Sequence, residues 1–177
     1  MFKNYTVDKL NTAHHAEILN VWESSVRATH HFLEEADIQV YKILIGGEYL
    51  DTLKLFGIKH ENDQLLGFIG ISEKAIRLLF VLPAAKTMGI GLALVNYVYQ
   101  HLHVNEVDVN EQNVQACNFY KHLGFEVTER NGNVQSGMGS DGECNSCTHA
   151  QRKPGTTRQT ENNIHQISFF CSIYIVI

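Results

Sequence analysis

The chain has no basic run: across 177 residues, 14 Lys and Arg face 19 Asp and Glu, for a formal net charge of −5. The clustered positive stripe that marks a nucleic-acid partner is therefore missing. No apolar stretch reaches the roughly 20 residues needed to cross a bilayer. Ile167–Ile177 is apolar but too short. The N-terminal MFKNYTVDKL has no apolar signal core. A soluble cytoplasmic protein is expected, with neither nucleic acid nor membrane as partner. Cysteines number four. Cys144-Asn-Ser-Cys147, with His149 beyond it, has no second pair, so no metal is expected. Cys117 reads as a small packed hydrophobe inside a helix.

What is present suits a globular protein. Hydrophobic residues make up 44% and charged residues 19%, which are the values of a folded chain rather than a disordered one. The length fits one domain with a real core. Residues 1–130 carry the whole net charge, with 11 basic and 16 acidic side chains.

The pattern predicts a strand at Tyr5–Val7. A helix follows over the Ala16–Arg27 region with Thr12 as its cap, and a second covers Ile38–Leu44, closed by Gly46-Gly47. Strands follow at Lys54–His60 and Leu65–Ser72, joined by a turn at Glu61–Asp63, and at Ala75–Leu82. The last of these is almost continuously apolar, as a strand buried on both faces should be. Then come helix Gly91–His101, strand Glu106–Asn110, helix Val114–Leu123 with Gly124 as its stop, and strand Phe125–Thr128. The fold class is α/β in the mixed α+β sense, with a mixed, mostly antiparallel sheet and helices on both faces. Residues 131–166, rich in Gly, Ser, Asn, Gln and Thr, read as a loop or disordered segment. Residues 167–177 read as a possible last strand.

Two segments carry the chemistry. Strand Ile76–Leu82 runs through Pro83 into Lys86-Thr87-Met88-Gly89-Ile90-Gly91 and then a helix. Backbone N–H groups at such a helix start bind phosphates without needing basic side chains. Gly89 and Gly91 let the backbone approach closely, and Lys86 adds a point charge. The same glycines would equally serve tight helix–strand packing. A dinucleotide fingerprint would need a third glycine, and the ATP-binding P-loop spacing is absent. The second segment places Asn113 seven residues before Tyr120 on the next helix.

With its approach Leu79-Phe80-Val81-Leu82-Pro83, the Lys86–Gly91 turn resembles the cofactor signature of the GCN5-related N-acetyltransferase family, especially that of its small bacterial members. The run Val109-Asn110-Glu111-Gln112-Asn113, then Ala116, Phe119-Tyr120 and Gly124-Phe125, is similar to its second signature. Trp22, Ala28-Thr29-His30 and Phe32-Leu33 are similar to its N-terminal region. The resemblance spans residues 1–130, taken as the N-acetyltransferase domain. It implies a direct transfer of an acetyl group from acetyl-CoA to a primary amine, small molecule or peptide, by a monomer or homodimer. Leu79, Phe80 and Val81 would lie along the pantetheine arm. A backbone N–H there would stabilise charge on the thioester oxygen. Lys86, Thr87, Met88, Gly89, Ile90 and Gly91 would hold the pyrophosphate. Asn113 would bond the pantetheine, cap its helix, or both. Substrate would enter near Trp22, Thr29 and His30.

The chain departs from the family at Lys86 for Arg, Thr87 for Gly, Leu92 for a polar residue and Arg77 where an acid is common. No counterpart of the family's final β-hairpin is evident after Arg130. These departures motivate an alternative, a non-catalytic acyl-CoA sensor or scaffold. Tyr120 is the expected acid toward the departing thiolate. A phenol near pKa 10 and a thiolate near 8.5 leave about 2 kcal/mol uphill. A lysine-like amine is about 3.4 units from neutral at pH 7, close to 4.6 kcal/mol, so a base helps. His30, His31 and Glu73 are the candidates, His30 first.

Overall fold

The computed structural model describes residues 5–30, 33–110, 113–131 and 147–152. They fall into two compact units, one reaching Val104 and the other starting at Asn105.

In the first unit, β1 (Asp8–Leu10), β2 (Lys54–Lys59), β3 (Leu65–Ser72) and β4 (Ala75–Val81) form an antiparallel meander. β3 keeps its expected bounds and β4 stops one residue early. β1 does not keep its place. The strand expected at Tyr5–Val7 begins at Asp8, which pairs with Gly57. Buried Leu10 anchors this register opposite Leu55, and Tyr5 is left outside the ladder.

β3 is buried from Leu65 to Ile71, so both its faces are covered. α3 (Ile90–Leu102) covers one of them. A Cβ on Gly67 would lie 2.8 Å from Ile90 Cγ2 and 2.9 Å from Phe80 O, closer than a side chain permits. Phe68 and Phe80, both fully buried, stack at 5.7 Å. Each such burial is worth about 1.5–3 kcal/mol. α1 (His15–Thr29) packs on β3 and β4 through Ile18, Val21, Trp22, Ser25 and Val26, a helical stripe.

The helix starts differ in detail from expectation. Asn11, not Thr12, is the cap: its side chain accepts the Ala13 N–H at 3.0 Å, and a 3₁₀ turn at Thr12–His14 precedes α1. α2 (Glu35–Leu44) starts three residues early, where Asp37 accepts the Glu34 N–H at 3.1 Å. Acids in a first turn also suit the helix dipole. The chain keeps coiling past α2 as a π-type turn at Ile45–Tyr49, and helical geometry breaks at Gly47 (φ −77, ψ −133). No helix among the described residues is long and apolar enough to cross a membrane.

The second unit holds β5 (Glu106–Asn110), α4 (Val114–His122), β6 (Phe125–Asn131) and β7 (Cys147–Arg152). β7 corrects the expectation for the tail. It lies within 131–166, read from sequence as a loop, yet it pairs antiparallel with both β5 and β6. Ala150, opposite Val107 and Val127, is its buried apolar residue. Gln151 Nε2 donates to Glu106 Oε1 at 3.0 Å. The strand is held by two backbone ladders rather than by an apolar stripe, so hydropathy could not find it. Beyond Arg130 the described residues thus supply one strand, β7, which pairs with β6. The possible strand at 167–177 lies outside the described residues.

Candidate active site

The glycine turn belongs to the first unit. β4 hands over to it at Leu82, whose N–H donates to Leu66 O at 2.8 Å. Pro83 opens a 3₁₀ run through Met88. Gly89 then takes a left-handed conformation (φ +78, ψ +13) that only glycine adopts cheaply, and α3 begins at Ile90. No side chain caps α3, and its first turn carries no acid. The unpaired N–H groups of a helix start, with the positive end of the dipole, are thus left for an anion.

Within the turn, Ala85, Ile90 and Gly91 point inward, while Thr87 and Gly89 are exposed. Ile90 therefore acts as the anchor that meets Gly67. Lys86 is half-buried, and burial alone pulls its ammonium below the usual lysine pKa. No carboxylate among the described residues pairs with it. Leu79, Phe80 and Val81 have buried side chains, so only their backbone groups can meet a ligand. One contact escaped the sequence reading altogether. Tyr5 OH donates to Met88 O at 2.7 Å, across 83 residues of chain. Nothing in the local pattern around Tyr5 points to it.

The second unit carries the other half of the signature. Asn113 Oδ1 accepts the Ala116 N–H at 3.0 Å, so the capping role is realised. Tyr120 is 2% exposed, deeper than a residue merely closing the core edge. Phe119 and Phe125 meet its ring edge-on at 5.1 and 5.2 Å. Its hydroxyl is buried without a hydrogen-bond partner among the described residues. That burial raises the phenol well above its usual pKa. Beside it lies a cleft of about 60 Å³, lined by Val109, Cys117, Tyr120, Lys121, Phe125, Val127 and Ala150.

The expected substrate residues divide. Trp22 is fully buried (0% exposed), and its indole N–H has no partner among the described residues. It is a core residue of α1, a correction to the expectation that it faces substrate: the apolar stripe that makes α1 helical also turns Trp22 inward. Thr29 and His30 sit together where α1 ends. Thr29 Oγ1 donates to Ser25 O at 2.7 Å and lies 3.0 Å from His30 Nδ1. A hydroxyl has one proton. With that proton given to Ser25, Thr29 Oγ1 meets the His30 ring as an acceptor. His30 is 6% exposed. Glu73 is exposed in the β3–β4 turn at φ +53. His31, Glu111 and Gln112 lie outside the described residues, as does Cys144. Among the described residues no three metal-ligating side chains gather.

The family model for the acetyltransferase (GNAT) domain matches residues 30–138. The chain belongs to the GNAT acetyltransferase family, enzymes that transfer acyl groups, and has its α+β fold. It is 35% identical over 114 residues to the peptidyl-lysine N-acetyltransferase YjaB of Escherichia coli, a match covering 64% of this chain and 77% of that protein. It is 33% identical to the peptidyl-lysine N-acetyltransferase YiaC of the same organism, over 63% of this chain and 77% of that one. The solution structure of apo YjaB superposes with a TM-score of 0.69 at 27% identity, covering 84% of this chain and 97% of the other. A PaiA N-acetyltransferase from Thermoplasma acidophilum, solved in complex with coenzyme A, shares the fold with a TM-score of 0.62 at 18% identity, over 84% and 99% of the two chains.

Proposed function

We propose that the protein transfers the acetyl group of acetyl-CoA directly to a primary amine, with a lysine side chain in a peptide as the first substrate to test. The observation that carries this reading is the uncapped, acid-free start of α3 with Lys86 beside it. A half-buried cation without a carboxylate and a row of helix N–H groups both ask for an anion, and a pyrophosphate supplies it. The names of YjaB and YiaC support lysine as the acceptor class.

In this reading the backbone at Leu79–Val81 receives the pantetheine arm, and the turn from Lys86 to Gly91 holds the pyrophosphate. Asn113 fixes the start of the helix that presents Tyr120. The amine attacks the thioester carbonyl directly, so Cys117 has no nucleophilic role. Tyr120 assists the thiolate as it leaves. Its raised pKa widens the gap expected from a free phenol, so hydrogen-bond donation carries the effect rather than full proton transfer. The unpartnered hydroxyl is ready for that bond. His30, beside Thr29 at the end of α1, is the candidate to take the amine's proton.

The test is thiol release from acetyl-CoA over a panel of lysine peptides and small amines, alongside a thermal shift with acetyl-CoA. Amine-dependent thiol release is expected. A thermal shift without turnover on any amine would favour an acyl-CoA sensor, the alternative that the departures at Lys86, Thr87 and Arg77 motivate. Absence of any shift would overturn both.

A further inference from the structure

The contact between Tyr5 and Met88 has a consequence for the glycine turn. Met88 O is the last carbonyl of the 3₁₀ run, and it accepts the Tyr5 hydroxyl. The next residue is Gly89, which tolerates either sign of φ. Sterics therefore do not fix the peptide plane between Met88 and Gly89. A rotation of that plane would reverse the directions of the Met88 carbonyl and the Gly89 N–H at the start of α3. The Tyr5 hydroxyl, donating to Met88 O at 2.7 Å, fixes which way that carbonyl points. Because the peptide is planar and trans, the Gly89 N–H points opposite to the held oxygen and is fixed with it.

The rest of the turn needs this tether. Among the described residues nothing lies within 4 Å of where a Gly89 Cβ would stand, so no side-chain contact holds that position. No side chain caps α3. Ile90, by contrast, is locked into the core against Gly67. The tether thus acts at the one unpacked joint between the 3₁₀ run and α3. Tyr5 is partly buried and stands outside β1, so its position is set by tertiary structure and not by the strand ladder.

We propose that Tyr5 is a positioning residue for the phosphate-binding turn: it selects the peptide orientation that presents the start of α3 to the pyrophosphate of acetyl-CoA. The proposal rests on the acetyl-CoA reading above. It assigns the N-terminal segment a part in donor binding and none in the chemical step.

Tyr5→Phe removes the hydroxyl and keeps the ring. The expected result is a rise in KM for acetyl-CoA of roughly 3- to 10-fold, the scale of one hydrogen bond, with kcat unchanged. Affinity for inorganic pyrophosphate, measured as a competitive inhibitor against acetyl-CoA, should weaken by a similar factor. A merely structural role would lower the melting temperature and leave the KM-to-kcat balance alone. Unchanged KM, or a fall in kcat at constant KM, would overturn the proposal. A wild-type protein that does not bind coenzyme A would instead overturn the acetyl-CoA reading, so the two failures are told apart.

Discussion

The glycine turn and the Tyr120 helix are built on opposite principles. The turn is open and made of backbone: Gly89 is exposed, α3 has no side-chain cap, and half-buried Lys86 pairs with no carboxylate among the described residues. The Tyr120 site is closed and made of side chains, a phenol wedged between Phe119 and Phe125 with its hydroxyl shut away from water. An open backbone site binds an anion by geometry that survives side-chain exchange, which is how Lys86, Thr87 and Leu92 can all depart from the family pattern. A closed side-chain site acts through one atom. The first should govern affinity and the second rate.

Substitutions can break that division. The largest effect on rate should come from Tyr120→Phe, which is expected to lower kcat about 10- to 100-fold while changing KM for acetyl-CoA little. The same substitution should leave the melting temperature of the free protein unchanged or raised, since it removes a buried hydroxyl that has no partner among the described residues. Steady-state kinetics and a thermal melt check both halves. A large loss of stability would mean that the hydroxyl is bonded and the site is structural.

The largest effect on stability should come from Gly67→Val. Its Cβ would crowd Ile90 Cγ2 and the fixed carbonyl of Phe80. A loss of about 1–3 kcal/mol or more in denaturant unfolding is expected. Next, Gly89→Ala puts a side chain on left-handed backbone, costing about 1–2 kcal/mol. Because no atom stands near the new Cβ, the cost should show as strain in the turn and a weaker donor KM, with kcat held.

Lys86→Gln sharpens the comparison through pH. Burial lowers the Lys86 pKa below 10.5, so its ammonium is lost earlier than that of a free lysine as pH rises. The charged form is the one that favours a phosphate. Acetyl-CoA affinity should therefore be highest below the lowered pKa and fall as pH climbs through it. Lys86→Gln should raise KM about 3- to 10-fold at neutral pH, the scale of one charged contact, and flatten this dependence. A pH profile of KM for both proteins would check the sign.

Much of this was legible from the chain. β3 and β5 fall where the sequence puts them: β3 is an apolar run buried from Leu65 to Ile71, and β5 alternates buried Val107 and Val109 with half-buried Glu106 and Asp108. The turn was legible for a different reason: glycine at a left-handed position is a backbone requirement visible as a letter. β7 was not legible, since Thr148 to Arg152 carries no apolar period and its strand exists through pairing on both sides. Trp22 was misplaced because an aromatic on an amphipathic helix reads alike whether it lines a substrate path or fills a core. Tyr5 was invisible because its partner is a backbone oxygen 83 residues away.

The central claim is that the Tyr120 hydroxyl serves acetyl transfer to an amine, and its most direct test is a single comparison. Thiol release from acetyl-CoA, measured with a lysine peptide at saturating donor, should be amine-dependent in the wild-type protein and fall at least about tenfold in Tyr120→Phe. Equal rates in the two proteins, with acetyl-CoA bound by both, would contradict it.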